Sequence, residues 1–124
     1  MTEILLIDDM AGVRRAVVSM LSRAGHTVTA AENGGQGIEL LRSRRFDLVI
    51  TDMLMPDVDG ADVLTQVGSL PNRPKVIAIS GGGAGLSADS ALRLAKIKAD
   101  AFLEKPFEAE ALLAVVDKLL VKSL

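Results

Sequence analysis

Short runs of apolar residues recur along the chain at 4–7, 27–30, 48–50, 76–79 and 101–103. Their length and their content of Ile and Val predict five strands. Four of them do not alternate with polar residues, which is the pattern of strands buried on both faces of a parallel sheet. Between the runs the spacing turns helical. Val13, Ala16, Val17, Met20, Leu21 and Ala24 fall on one helical face, and Gly25 is placed to end that helix. Leu112, Val115, Val116, Leu119 and Leu120 repeat the pattern, with Glu108 and Glu110 near the positive end of the helix and Lys118 and Lys122 near the negative one. Weaker helical patterns cover 35–43, 60–67 and 87–97. The strict alternation of strand and helix predicts a doubly wound α/β fold.

A chain of 124 residues is one domain's worth, large enough to bury about two-thirds of its unfolded surface in a single core. No linker, repeat or low-complexity tract interrupts it except the glycine-rich stretch 81–85, so one domain over 1–124 is expected. Lys and Arg number 14 against 16 Asp and Glu, a net charge of −2, which supplies no basic field for nucleic acid or an anionic membrane. The absence of cysteine removes disulfides, thiolate metal sites and cysteine nucleophiles. With 49% hydrophobic residues but three Phe and neither Trp nor Tyr, the core must be aliphatic. No apolar run approaches the roughly 20 residues of a membrane span, and a soluble, cytoplasmic protein is expected.

In open parallel sheets the site lies beyond the carboxyl ends of the strands. The residues there are Asp8 and Asp9 after the first strand, Asp52 after the third, Ser80 after the fourth and Lys105-Pro106 after the fifth. Singly, each has a bland reading: Asp and Ser cap the helices that follow strands, and a lysine there is a solvated charge. Together they are harder to dismiss, because three clustered carboxylates repel one another unless a cation offsets them. With no His or Cys at these positions the ligands are all oxygens, which favours Mg²⁺ or Mn²⁺. The single histidine, His26, follows Gly25 at a turn and is expected at the surface. A carboxylate-held metal beside a lysine and a hydroxyl is a phosphoryl site. Ser80 has no adjacent base, whereas Asp52 is already ionised, so Asp52 is the expected nucleophile and its product an acyl phosphate.

Four separated segments, Ile7-Asp8-Asp9, Ile50 through Gly60 around Asp52-Met53-Leu54-Met55-Pro56, Ile79-Ser80-Gly81, and Phe102-Leu103-Glu104-Lys105-Pro106-Phe107, resemble the receiver domains of two-component response regulators. The resemblance spans essentially the whole chain and points to the stand-alone type similar to the chemotaxis receiver. It implies a flavodoxin-like α/β fold, a five-stranded parallel sheet in the order 2-1-3-4-5 with five helices. It also implies a phosphorylation-activated switch, not an enzyme acting on a separate substrate, although it assists its own phosphorylation and dephosphorylation. By that resemblance Asp52 accepts a phosphoryl group from a phosphohistidine on a sensor kinase or phosphotransfer protein. Asp9 binds Mg²⁺ directly, Asp8 chiefly through water, and Asp52 and the backbone carbonyl of Leu54 complete the protein ligands. Lys105 pairs with a phosphoryl oxygen, and the Lys105-Pro106 peptide is cis. Ser80 and Phe102 form the hydroxyl and aromatic switch pair, relaying the change to a face built by the fourth helix, fifth strand and fifth helix, where a downstream protein docks.

Some positions depart from that pattern. The run 81–85 makes the loop after the fourth strand unusually glycine-rich, and Lys98-Ala99-Asp100 stands where a helix-ending glycine is usual. Leu54 is apolar and cannot hold an attacking water, so a long-lived acyl phosphate is expected, shortened by Leu54→Asn. Two other readings compete. Residues 83–88 fit the dinucleotide fingerprint G-x-G-x-x-A, with Glu104 about 20 residues on, but they sit in the fourth βα unit and leave the aspartates unexplained. A pseudo-receiver would keep the fold as an interaction module, yet every acidic and basic position of the site is present. Asp57-Val58-Asp59-Gly60 fails as a calcium loop, since Met55 and Gln66 would stand at its first and twelfth positions. Arg42, Arg44 and Arg45 read as a solvated helix end.

Overall fold

The computed structural model describes residues 2–53, 60–80, 99–105 and 107–120. Five strands, β1 (Glu3–Ile7), β2 (Thr27–Ala31), β3 (Leu48–Asp52), β4 (Lys75–Ser80) and β5 (Ala101–Glu104), form one parallel sheet in the order β2-β1-β3-β4-β5. This is the expected order. Helices α1 (Ala11–Arg23), α2 (Gly34–Ser43), α3 (Gly60–Gly68) and α4 (Ala109–Leu120) accompany it. Five helices were expected and four are described; the remaining one, over 87–97, lies outside the described residues, as do Leu54, Asp57, Pro106, Lys122 and the fingerprint at 83–88.

Alternate residues of the three inner strands enter opposite cores, which is why their sequences look uniformly apolar. Leu5, Ile7, Val49, Val76 and Ala78 pack with Leu41, Val63 and Val67 of α2 and α3. Ile4, Leu6, Leu48, Ile50, Ile77 and Ile79 pack with Val17, Leu21, Leu112 and Val116 of α1 and α4. The outer strands β2 and β5 are only partly buried, matching the polar alternation of Thr27 and Thr29.

The helix ends follow from local chemistry. Gly25 takes φ 92° and ends α1. Its N–H donates to Ser22 O and that of His26 to Leu21 O, both at 3.1 Å, the paired bonds of a Schellman stop. His26 is half-buried at this turn. Asn33 caps α2, its Oδ1 accepting the Gln36 N–H at 2.8 Å. Gly37 lies where α2 crosses β1, and a Cβ there would clash with Ile7, 2.7 Å from its Cγ1. The arginines at the end of α2 are partly engaged: Arg44 pairs with Glu3 at 3.4 Å and lies 5.2 Å over the Phe46 ring, and Arg42 donates to Gln66.

Candidate functional site

The carboxyl ends of β1, β3, β4 and β5 bring Asp8, Asp9, Asp52, Ser80 and Lys105 to one edge of the sheet. Sequence periodicity ended the third and fourth strands at Ile50 and Ile79. The ladders instead continue through Thr51 and Asp52, the latter level with Ile79, and through Ser80, level with Glu104. These polar residues are buried, Thr51 at 0%, Asp52 at 3% and Ser80 at 5% exposure, and a pattern of apolar positions cannot register a buried polar strand end. The backbone just beyond the strands is pinned too. Asp8 N–H donates to Ala31 O, Met53 N–H to Ile79 O at 2.8 Å, and Lys105 N–H to Ser80 O at 2.7 Å. The backbone at Asp8, Asp52 and Lys105 is thereby tied to neighbouring strands.

Asp8 is wholly buried, whereas Asp9 beside it is exposed. Asp8 Oδ1 accepts the Met10 N–H at 2.9 Å, satisfying a backbone group at the start of α1. One carboxylate oxygen from each of Asp8, Asp9 and Asp52 lies within 4.8 Å of the others. Lys105 reaches into this cluster, with Nζ 3.0 Å from Asp8 Oδ2 and 3.0 Å from Asp52 Oδ2. It donates a hydrogen bond to Asp52 and is ion-paired with the buried Asp8 oxygen. Burial alone would lower the Lys105 pKa. The two carboxylates, by contact and by charge, outweigh it and hold the ammonium above the ordinary 10.5. The positive charge needed to assemble three acids is thus partly supplied by the chain itself.

The acidic set fits a hard divalent cation. Its donors are all carboxylate oxygens, they are close enough to share an ion, and Asp8 among them is wholly buried. Ser80 and Phe102 lie on the same face of the sheet, since Ala78 pairs with Phe102 and Ser80 with Glu104. Phe102 is half-buried against the core that includes Ala78.

Two neighbours of the site carry no strand-end signature. Arg14, one turn into α1, donates from Nη1 to Asp8 O at 2.8 Å and fixes the loop that carries both leading aspartates. The sequence signal was there, since a residue on the first turns of a helix can reach back over its own N-terminus. Met10 places Sδ 4.0 Å from Lys105 Nζ. It is 55% exposed, and nothing in its apolar character marked it for the site.

Comparison with known proteins agrees with the geometry. The response regulator receiver domain family matches residues 4–117, and the chain belongs to that family. It is 35% identical over 123 residues to the response regulator receiver protein CpdR of Brucella abortus, covering 98% of each chain. It is 32% identical over 120 residues to the chemotaxis protein CheY of Bacillus subtilis, covering 94% of this chain and 96% of that one. A crystal structure of a receiver domain protein from Clostridium thermocellum superposes with a TM-score of 0.85 at 28% identity, covering 97% of this chain and 94% of that one. The chain is therefore a receiver domain of the two-component response regulators, a signalling class typically phosphorylated by histidine kinases. Among the described residues no helix is long and apolar enough to cross a membrane.

Proposed function

We propose that Asp52 is the phosphoacceptor of a signalling switch, and that Asp8, Asp9, Asp52 and the Leu54 carbonyl hold Mg²⁺ for the transfer. The observation that carries this is the meeting of Asp8, Asp9 and Asp52 within 4.8 Å with Lys105 directed into them. Asp52 is buried on a strand end and held there by the sheet ladder, so its carboxylate oxygen attacks phosphorus in line with the departing donor group. When bound, Mg²⁺ screens the charge of the acids and of the incoming phosphoryl oxygens. Lys105 stabilises the product by moving an N–H from a carboxylate to a phosphoryl oxygen, an exchange of one charge-assisted bond for another. Ser80 supplies a hydroxyl from the adjacent strand, and Phe102, one pair behind on the same face, repacks with it.

Phosphorylation adds about two negative charges. Raising an active form from a few per cent to dominance needs on the order of 3–5 kcal/mol, within reach of two such hydrogen bonds and one aromatic repacking. The donor is a sensor kinase or histidine phosphotransfer protein, and the readout is a downstream protein on the face that includes β5 and α4; the cytoplasm is the compartment consistent with both. The test is incubation with acetyl phosphate and Mg²⁺, followed by intact mass and peptide mapping. One phosphoryl group on Asp52, lost in Asp52→Asn and without metal, is expected; modification elsewhere, or none, rejects the assignment.

A further inference from the structure

The Lys105 ammonium has three N–H donors, and its neighbours at the site are two carboxylate oxygens at 3.0 Å and the Met10 thioether at 4.0 Å. A thioether is a weak acceptor and leaves the ammonium free to exchange partners. Met10 also stands apart from the other methionines of the described residues. It is 55% exposed, whereas Met53 is fully buried in the core and Met20 is half-buried on α1. It lines an apolar trough with Val13, Val17, Met20 and Phe107 beside Lys105, and of the two methionines there it is the exposed one.

We propose that Met10 is a peroxide-sensitive modification site whose oxidation to the sulfoxide sets an acceptor oxygen beside Lys105 and slows phosphoryl acceptance at Asp52. With hydrogen peroxide as the oxidant, a sulfur lone pair forms the S–O bond as the O–O bond breaks. The proton on the transferred oxygen passes to the departing one, which leaves as water; sulfur gives up two electrons and peroxide gains them. The neighbouring ammonium donates a hydrogen bond to the departing oxygen, so Met10 reacts ahead of an ordinary exposed thioether. The sulfoxide is polar, strongly accepting and reversible by methionine sulfoxide reductases. It competes for the same ammonium that must turn to the phosphoryl group.

This rests on the phosphoacceptor reading, and the experiment separates the two. The whole chain is treated with graded hydrogen peroxide, sulfoxides are mapped by mass, and the rate of phosphoryl incorporation from acetyl phosphate with Mg²⁺ is followed. Met10 is expected to oxidise before Met20 and Met53. The rate is expected to fall about fivefold, the effect of one competing net hydrogen bond, and to recover after reductase treatment. Met10→Leu is expected to keep the same rate before and after peroxide. Earlier oxidation of Met20 or Met53, an unchanged rate in protein oxidised at Met10, or an equal loss in Met10→Leu overturns the proposal. Untreated protein that takes up no phosphoryl group overturns the phosphoacceptor reading and this one with it.

Discussion

Replacing Lys105 by Met keeps the length of the side chain and removes the charge that holds two buried acids together. The ammonium is 3.0 Å from an oxygen of Asp8 and 3.0 Å from one of Asp52, with side-chain exposures of 14%, 0% and 5% for Lys105, Asp8 and Asp52. At an effective dielectric of about 20, each pair attracts by roughly 5 kcal/mol before desolvation is counted. Breaking a buried pair typically costs about 3–5 kcal/mol, because the surviving charges stay buried. The open edge of the sheet admits water to Asp9 and, once the lysine is gone, to its former partners, so about 2–3 kcal/mol is the expected loss. For a domain of this size that lowers the melting temperature by roughly 10 °C. Magnesium should recover most of it, since a divalent ion restores positive charge to the same oxygens. Urea unfolding of wild type and Lys105→Met, each in EDTA and in saturating Mg²⁺, reads both effects. A variant as stable as wild type in EDTA, or a deficit the same size in Mg²⁺, would refute the view that lysine and metal serve the same acids.

Three further outcomes follow from the geometry. Because its partners raise the Lys105 pKa above 10.5, the stability it contributes is fully present below that value and lost as pH rises through the higher folded value. Alkaline unfolding of wild type should therefore steepen above pH 10.5 while Lys105→Met shows no such added slope. Gly37→Ala should destabilise by about 1–2 kcal/mol in thermal unfolding, the clash with Ile7 exceeding the gain in helix propensity; a stabilised variant would show that α2 can lift off β1 at little cost. Asn33→Ala removes the hydrogen bond to Gln36 N–H and should cost about 1 kcal/mol, with faster amide exchange confined to the first turn of α2 as the check.

The architecture was legible because its determinants are apolar and periodic. Ile4, Leu6, Leu48 and Ile50 on one face, and Leu5, Ile7 and Val49 on the other, bury completely, and such positions cannot be polar without large cost. The site was legible as a set of strand-end residues for the same reason, since topology alone takes Asp8, Asp52, Ser80 and Lys105 to one edge. What the chain order does not encode is which side chain meets which. Lys105 bridges Asp8 and Asp52, an arrangement that depends on side-chain reach across three strands. Met10 has its role because the start of α1 lies against Lys105 after β5, and Arg14 because it reaches back to Asp8 O after β1. A helical period describes faces and says nothing of such a meeting.

The most direct trial of the account is a crystal structure of the chain with Mg²⁺ and beryllofluoride, which stands in for the phosphoryl group. The account predicts beryllium joined to the Asp52 carboxylate, the metal against Asp9 and Asp52, and Lys105 Nζ withdrawn from Asp8 to a fluoride. Beryllofluoride bound to any other carboxylate, or Lys105 still spanning Asp8 and Asp52 with the ligand present, would contradict it.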